Sequence, residues 1–433
     1  MSTRSSVARR ARRRWVLRPG RRSLVVRVPP IVLASFLAAV PAAAQDAAPG
    51  GAAETSPERL LSDEARISLV TILPGRLVYN LFGHNAVRVS DPVRGIDVTY
   101  NYGTFHFGNP LAFTAKFVYG DLNYRLARGD YDRMVAYYPA VEGRPLIEQW
   151  LDLEPGEKEE IFRFLEWNAL PENAFYRYDF YYDNCATRIR DLLERVLGVP
   201  LGSGTPDPGV TMRQLLDPYL VEKPLLHLGM DFAQGAPADE QASARDAMFL
   251  PNHLAEWLAR ARRTGPRGDV ALVAHTDSIG WTAARVERRT APPWPTVCLA
   301  LLLGFTAALT VRDVRAGARP RLWLDVPLFA FLGVAGLFVA FVWFVSLHAV
   351  AKDNINILWA VPTHVALAWS LMREASGRWM SPYLWLSAAL AAVFVAGWPF
   401  WVQEVPVALA LLAAVAGVRS AGLALAARRR IVT

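Results

Sequence analysis

The chain has 433 residues, of which 53% are hydrophobic, and a formal net charge of +8. Residues 1–44 hold ten arginines and no acidic residue, the part from Ala291 onwards carries +6, and the middle is therefore −8. An acidic middle argues against nucleic-acid binding, which needs clustered cations to neutralise phosphates, and the apolar last third excludes a fully soluble protein.

The first 44 residues have the three parts of a secretory signal peptide. A basic segment covers Arg4 to Arg27, an apolar run follows from Val28 to Val40, and small residues precede a cleavage site after Ala44. The apolar run is shorter than the ~20 residues needed to span a bilayer, so cleavage is favoured over the alternative, an uncleaved signal anchor. The sequence predicts export, a linker over residues 45–66 and a periplasmic domain over residues 67–290.

The exported domain begins with short runs of alternating, β-rich sequence. Strands are predicted over Ile67–Leu73, Asn85–Val89 and Val98–Tyr102, with Ser90–Gly95 as the turn between the last two. A helical stretch follows at Gly156–Trp167.

A second predicted helix places a cysteine at its beginning. Apolar residues recur at spacings of three and four over Ala186–Leu197, and Gly198 ends the pattern. Asp183 or Asn184 is a natural N-cap. Cys185 therefore lies at a helix N-terminus, where the dipole and unpaired N–H groups favour a thiolate and can receive an oxyanion. We accordingly expect a lowered pKa for Cys185.

The chain has only two cysteines, and no disulfide between them is expected. Cys298 lies in an apolar stretch of the last third, whereas Cys185 lies in the polar middle. A lone thiol in an oxidising compartment is prone to damage, so we expect Cys185 to have a function.

A nucleophilic thiol needs a base, and the sequence offers seven histidines. His84 stands at the start of a predicted strand, after a glycine, although a structural surface histidine is the alternative interpretation. A third group should orient the imidazole. Asn101 faces His84 across the predicted hairpin, and Asp97 is the second candidate. The less regular segments hold His106, His227, His253 and His275.

The last third, residues 291–433, is predicted to form five transmembrane helices. The apolar stretches are Val297–Val311, Leu322–Leu347, Ile355–Met372, Tyr383–Trp401 and Val405–Ala427. Arginines cluster after the first, third and fifth stretches, which places the C-terminus in the cytoplasm and the middle domain outside the inner membrane. Arg419 lies inside the fifth stretch, close enough to its end to extend towards the interface.

The connection between the second and third stretches is unusually polar. One interpretation is a hydrated turn. The other is a candidate substrate lip that orders lipid at the bilayer surface, because polar groups near membrane depth are often functional. The lip would consist of His348, Asp353, Asn354 and Asn356.

Several separated motifs have a recognisable order. In the middle domain they are Leu81–Val89, Tyr100–Phe105, Lys116–Gly120, Tyr178–Arg188 and Gly229–Asp239. These motifs resemble those of the Lnb N-terminal periplasmic domain family. Asn354–Pro362 is similar to the membrane part of that family, so the resemblance extends from about Ile67 to about Pro362.

The resemblance implies both a fold and an activity. The fold is an α+β, circularly permuted papain-like domain, similar to the NlpC/P60 group, followed by an α-helical transmembrane bundle. The activity is lipoprotein N-acylation, in which an acyl chain moves from a phospholipid to the N-terminal amine of a diacylglyceryl-cysteine lipoprotein. No cofactor, metal or nucleic acid is expected.

The resemblance makes Cys185 the nucleophile and His84 the base, in agreement with the choice from the residues. The role of Asn101 is inferred from geometry alone. The oxyanion or supporting residues are expected to be Tyr182, Asp183 and Asn184. The alternatives are a cell-wall peptidase or amidase, a phospholipase or thioesterase using the same pair, and a non-catalytic membrane scaffold.

Overall fold

The computed structural model describes residues 61–105, 109–203, 206–265, 268–281, 291–373 and 377–432. They belong to one compact unit, Ala47–Thr433. The predicted signal peptide and most of the predicted linker lie outside the described residues.

An antiparallel sheet of seven strands forms the centre of the first domain. The strands of the domain are β1 (Arg66–Ile72), β2 (His84–Asp91), β3 (Ile96–Thr104), β4 (Leu122–Asp130), β5 (Leu146–Leu151), β6 (Phe175–Tyr178), β7 (Arg262–Gly265), β8 (Gly268–Ala271) and β9 (Val273–Ile279). The sheet has the order β6-β4-β3-β2-β1-β5-β9, while β7 and β8 form a separate hairpin.

Eight helices of this domain are described. They are α1 (Pro110–Tyr119), α2 (Tyr131–Tyr137), α3 (Pro155–Ala169), α4 (Cys185–Leu197), α5 (Asp217–Leu220), α6 (Pro224–Ala233), α7 (Ala244–Ala247) and α8 (Pro251–Arg260). The core lies between the sheet and the helices α3, α4 and α8. Its sheet side includes Leu69 and Val89, and its α4 side includes Ile189 and Leu193. This packing fixes the start of α4 against the sheet.

The local predictions for this domain are confirmed. The hairpin pairs Val87 with Tyr100 and Asp91 with Ile96, as a turn at residues 90–95 requires. The helix α4 begins at Cys185, and it ends at Gly198, whose φ of 70° is in the left-handed region. Asn184 is its N-cap, one of the two residues expected there.

The second part of the chain consists mainly of apolar helices. They are α9 (Trp294–Ala316), α10 (Leu322–Phe344), α11 (His364–Met372), α12 (Met380–Ala396) and α13 (Val407–Val432). Among the described residues, α9, α10 and residues 407–429 are long and apolar enough to cross a membrane. The helix α12 is shorter, at 17 residues.

The third predicted stretch differs from a continuous helix. It consists of a short 3₁₀ turn at Ile355–Leu358 followed by the nine-residue α11. The turn is fixed by local polar contacts, because Asn354 caps it and Trp359 donates to Asn356. Five crossings therefore remain a prediction for this part of the chain.

Arg419 does not extend towards the interface, and that expectation is wrong. Its side chain is fully buried, and it donates to Asp325 on α10 and to Asp313 on α9 at 2.5–2.9 Å. Arg321 also donates to Asp313. A buried guanidinium with two carboxylate partners satisfies its charge within the bundle, so it ties α9, α10 and α13 together.

Two residues of the expected substrate lip hold the two parts of the chain together. Asn354 and Asn356 are both 0% exposed, and both donate to the backbone carbonyl of Phe232 at the end of α6. Gly235 donates its N–H to Val350, and a Cβ on Gly235 would lie 1.7 Å from the carbonyl oxygen of Lys352. The close approach requires glycine here. Asn354 and Asn356 are therefore structural, which corrects the expected lip.

Candidate active site

Cys185 is held at the start of α4 by the capping of that helix. The Asn184 side-chain oxygen accepts from the N–H groups of Ala186 and Thr187 at 2.8 and 3.0 Å. Its amide nitrogen donates to the carbonyls of Phe180 and Phe249 at 2.7 and 2.9 Å. Asn184 therefore has both side-chain groups engaged. It positions Cys185, and its amide is not free to bind an oxyanion.

The Cys185 sulfur lies among three backbone N–H groups. They belong to Asn85 on β2, to Cys185 itself and to Ala186, and each lowers the pKa of the thiol by stabilising its anion. The pairing of β2 with β3 begins only at Val87. The first residues of β2, next to Cys185, therefore have no partner on β3. Two separate elements thus direct N–H groups at one point, which is the arrangement needed for an oxyanion.

His84 and Asn101 lie at the end of the β2–β3 hairpin away from its turn, where the Asn85 N–H meets the Cys185 sulfur. His84 is the first residue of β2 and is hydrogen-bonded to the Asn101 side chain. Asp97, the second candidate, lies at the far end of β3, where it accepts from Arg88 at 2.7 Å. The structure therefore brings His84 and Asn101 together, places the N–H of Asn85, the residue after His84, against the Cys185 sulfur, and puts Asp97 elsewhere.

Gly103 lies next to Cys185 in a backbone conformation that favours glycine. Its φ of 89° lies in the left-handed region, beside an irregularity in the pairing of β3 with β4. A Cβ at this position would lie 3.9 Å from the Cβ of Cys185, the ring of Tyr124 and the hydroxyl of Tyr176. The positive φ, rather than a lack of space, therefore accounts for a glycine at this position.

The protonation of Cys185 differs from the expectation. Burial raises the pKa of the Cys185 thiol above its ordinary value of 9.0, and the N–H groups and Arg144 only partly oppose this effect. The predicted lowering of this pKa is therefore wrong. A helix N-terminus favours the anion, but here the loss of solvent outweighs it.

His84 is held in its neutral form. Burial is the main cause that lowers its pKa to about 4, and the positive charge of Arg144 adds to the lowering. The hydrogen bond with Asn101 and the charge of Glu142 act in the opposite direction. A neutral imidazole has a free lone pair, so the His84 side chain is in the protonation state that can accept a proton.

Arg144 is a residue of this site that the sequence did not reveal. Its side chain is only 4% exposed; Nε donates to the Leu73 carbonyl at 2.7 Å and Nη1 to Glu142 at 2.9 Å. Its Nη2 has no hydrogen-bond partner. Because it comes from the segment before β5, no spacing relates it to His84 or Cys185.

Tyr176 is a second such residue. It lies on β6, its hydroxyl is buried without a hydrogen-bond partner, and Arg188 stacks on its ring at 3.7 Å. Arg188 is in turn fixed by Asp183 at 2.6 Å. Asp183 therefore supports the site through Arg188 and Tyr176. A buried hydroxyl without a hydrogen-bond partner costs about 1–3 kcal/mol of folding free energy. The Tyr176 hydroxyl lies next to Cys185 despite this cost.

The other predicted residues are dispersed. Tyr182 is 49% exposed, and its backbone N–H donates to Asp179. His348 and Asp353 lie in the connection after α10, where His348 binds the Phe117 carbonyl at 2.7 Å. Two alternative bases have carboxylate partners, since His227 binds Asp217 and His275 binds Asp277. His253 is on α8, and His106 lies outside the described residues.

No group of three or more His, Cys, Asp and Glu side chains that could hold a metal occurs among the residues that the structure describes. The two cysteines, Cys185 and Cys298, are both free.

Comparisons with known proteins agree with the sequence motifs. The family profile described as the Lnb N-terminal periplasmic domain matches residues 55–217, and the profile described as the Lnb transmembrane domain matches residues 287–430. Neither the curated proteins nor the solved structures gave a match. The two profiles follow each other in order and together cover most of the chain, which is therefore a member of the Lnb family, with a periplasmic domain followed by a transmembrane domain.

Proposed function

We propose that this protein is a membrane-bound thiol acyltransferase. It moves an acyl chain from a phospholipid to the N-terminal amine of a diacylglyceryl-cysteine lipoprotein through a Cys185 thioester. One observation supports this most strongly: a thiol at a helix start lies among three backbone N–H groups, one of them from Asn85, and the residue before Asn85 is a neutral histidine bound to an asparagine. Nucleophile, base and orienting group are the parts that acyl transfer through a thiol requires.

The first half-reaction loads the enzyme. His84 accepts the thiol proton of Cys185 while the sulfur attacks the ester carbonyl of the phospholipid. The oxyanion accepts hydrogen bonds from the N–H groups of Asn85 and Cys185, and the Tyr176 hydroxyl is a further donor. When the carbon–oxygen bond breaks, protonated His84 gives its proton to the leaving alkoxide, so a lysophospholipid departs and the thioester remains.

The second half-reaction transfers the acyl group from the thioester to the lipoprotein. The lipoprotein amine attacks the thioester carbonyl, and His84 removes the proton that the nitrogen must lose. The carbon–sulfur bond then breaks, which yields an amide and restores the thiol of Cys185. Asn101 holds the imidazole in one orientation throughout, because its side chain is bound to His84.

The domain fold is proposed to be a circularly permuted papain-like fold. In this chain the base precedes the nucleophile, since His84 begins β2 and Cys185 begins α4. The strands carrying His84 and Asn101 are neighbours, and α4 packs on the same sheet.

The membrane orientation is proposed to place the C-terminus in the cytoplasm. Reporter fusions at Gly317 and Thr433 should be cytoplasmic, and a fusion at Asp353 should be exported. An exported reporter at Thr433 would contradict the five-helix topology. The fusions test on which side of the membrane the active site lies. The reaction itself is tested by a separate chemical experiment.

Transfer and hydrolysis differ in what resolves the thioester. A transferase must let an amine compete with bulk water, and effective molarities above ~10⁵ M for well-oriented groups make that feasible. The membrane domain supports transfer, because both substrates carry acyl chains that concentrate at the bilayer. A cell-wall peptidase or amidase, the runner-up, has no need of such an anchor.

The experiment follows acylation of Cys185 in the Cys298→Ala protein. Given phospholipid alone, the protein should accumulate an acyl group that hydroxylamine releases; a diacylated Cys peptide should then discharge it as an N-acyl amide. Cys185→Ala should not load. Release of free fatty acid without amide in the presence of the peptide would identify a phospholipase or thioesterase, and unchanged lipoprotein N-termini in cells expressing Cys185→Ala would support a scaffold.

A further inference from the structure

The helix α1 exposes an apolar surface that the rest of the domain does not cover. Lys116 is its only charged residue, and none of its ten residues is buried. Leu111 is 75% exposed, Phe117 49% and Tyr119 38%. An exposed apolar helix of this kind usually marks a surface that binds a partner or a membrane.

The C-terminal end of α1 is attached to the point where the chain leaves α10. The Leu347 N–H donates to the Tyr119 carbonyl at 2.8 Å, and the His348 ring binds the Phe117 carbonyl at 2.7 Å. The helix α10 is long and apolar enough to cross a membrane, and its last residue, Phe344, is 70% exposed. This end of α1 therefore lies within a few residues of the end of a candidate membrane span.

A row of aromatic rings connects α1 with the nucleophile. Phe113 of α1 stacks on Phe105 with ring centroids 5.4 Å apart, and Phe105 stacks on Tyr124 at 4.7 Å. The Tyr124 ring and the Cys185 Cβ each lie 3.9 Å from the Cβ position of Gly103. The row thus forms an apolar path from the exposed helix to the thiol.

We propose that α1 lies in the interface of the outer leaflet and that the acyl chain of the donor lipid reaches Cys185 along this aromatic row. The second half of this inference rests on the proposed function; the first half does not. A lipid surface is favoured over a protein partner because α1 is hydrogen-bonded to the end of a candidate membrane span. The apolar residues would lie among the acyl chains, and Lys116 would face the phosphates.

The position of α1 is tested with a fluorescent label. An NBD group is attached to Leu111→Cys in a Cys185→Ala/Cys298→Ala background, and the protein is reconstituted into phosphatidylethanolamine/phosphatidylglycerol vesicles. The matched control is Val93→Cys, which is also exposed but lies in the turn at the opposite end of β2. We expect a blue-shifted spectrum and quenching by brominated lipid at position 111 alone. Equal spectra at 111 and 93 would overturn the placement of α1.

The path is tested with the double variant Leu111→Ser/Phe117→Ser, since both side chains are exposed and the bond from His348 is to a backbone carbonyl. Loading of Cys185 is compared for vesicle phospholipid and for soluble p-nitrophenyl acetate. We expect the ratio of the two rates to fall at least tenfold, while the exposed control Val93→Ser leaves it unchanged. An unchanged ratio in the double variant would overturn the path. If the parent protein fails to react with p-nitrophenyl acetate, the thiol mechanism fails, and the label result still decides the position of α1.

Discussion

The protonation of the resting active site gives the sharpest prediction. With the pKa of Cys185 above 9.0 and that of His84 at about 4, both groups are neutral at pH 7. At most about one Cys185 in a hundred is then a thiolate, because each pH unit below the pKa reduces the ionised fraction tenfold. In the proposed reaction, deprotonation must therefore accompany attack on the substrate, with His84 as the base and without an ion pair formed beforehand.

Two reactions of the Cys298→Ala protein distinguish these cases. Alkylation by iodoacetamide measures the thiolate present at rest, and its rate should rise with pH with a midpoint above 9.0. Acylation by p-nitrophenyl acetate uses the base, and its rate should remain high down to about pH 5 and fall as His84 is protonated near its pKa of about 4. His84→Ala should lower acylation by roughly 10²–10⁴-fold and change alkylation at pH 7 little.

A preformed thiolate–imidazolium pair would give the opposite pattern. Alkylation would then reach a plateau below pH 7, and His84→Ala would abolish that plateau. Such a result would refute the conclusion that burial dominates the electrostatics of Cys185.

Four further changes test individual contacts. His84 binds a proton in the unfolded chain below pH 6.5 but in the folded chain only near pH 4, so folding stability that is present above pH 6.5 is lost as the pH falls. The thermal midpoint of His84→Gln should therefore fall less between pH 7 and pH 4.5 than that of the parent protein. An equal fall in both proteins would contradict this. Asn184→Ala removes the cap and leaves two carbonyls unpaired, and urea unfolding should show a loss of about 2 kcal/mol or more, whereas Asn184→Asp should keep the cap. Arg419→Met leaves Asp325 buried without its charged partner and should lower the free energy of unfolding by about 3–5 kcal/mol, measured as thermal stability in detergent. A smaller loss in Arg419→Met/Asp325→Leu would identify the unpaired charge as the cause. Tyr176→Phe should lower the rate of acylation by roughly tenfold to a thousandfold without changing alkylation, and an unchanged acylation rate would exclude the hydroxyl as an oxyanion donor.

The sequence by itself determined the parts that depend on neighbouring residues. Apolar spacing and a terminal glycine determine α4, and an Asx residue before it determines its cap, so Cys185 was placed at the helix start without any tertiary information. The hairpin register follows from a short turn and alternating strands, which placed Asn101 close enough to His84 for their side chains to bond. These features are local, because each rests on backbone hydrogen bonds between residues close in the chain.

Only the tertiary structure decided burial, and burial determined the electrostatics. The N-terminal position of Cys185 on α4 predicts a lowered pKa, but packing against the sheet removes solvent and raises it. Arg144 reaches the site from the segment before β5 and Tyr176 from β6, so no sequence spacing connects them with Cys185. Asn354 and Arg419 appeared to be a lip residue and an interfacial cation, yet both are fully buried with partners far along the chain. The role of a polar side chain depends on its surroundings in the folded protein, and residues distant in sequence provide those surroundings.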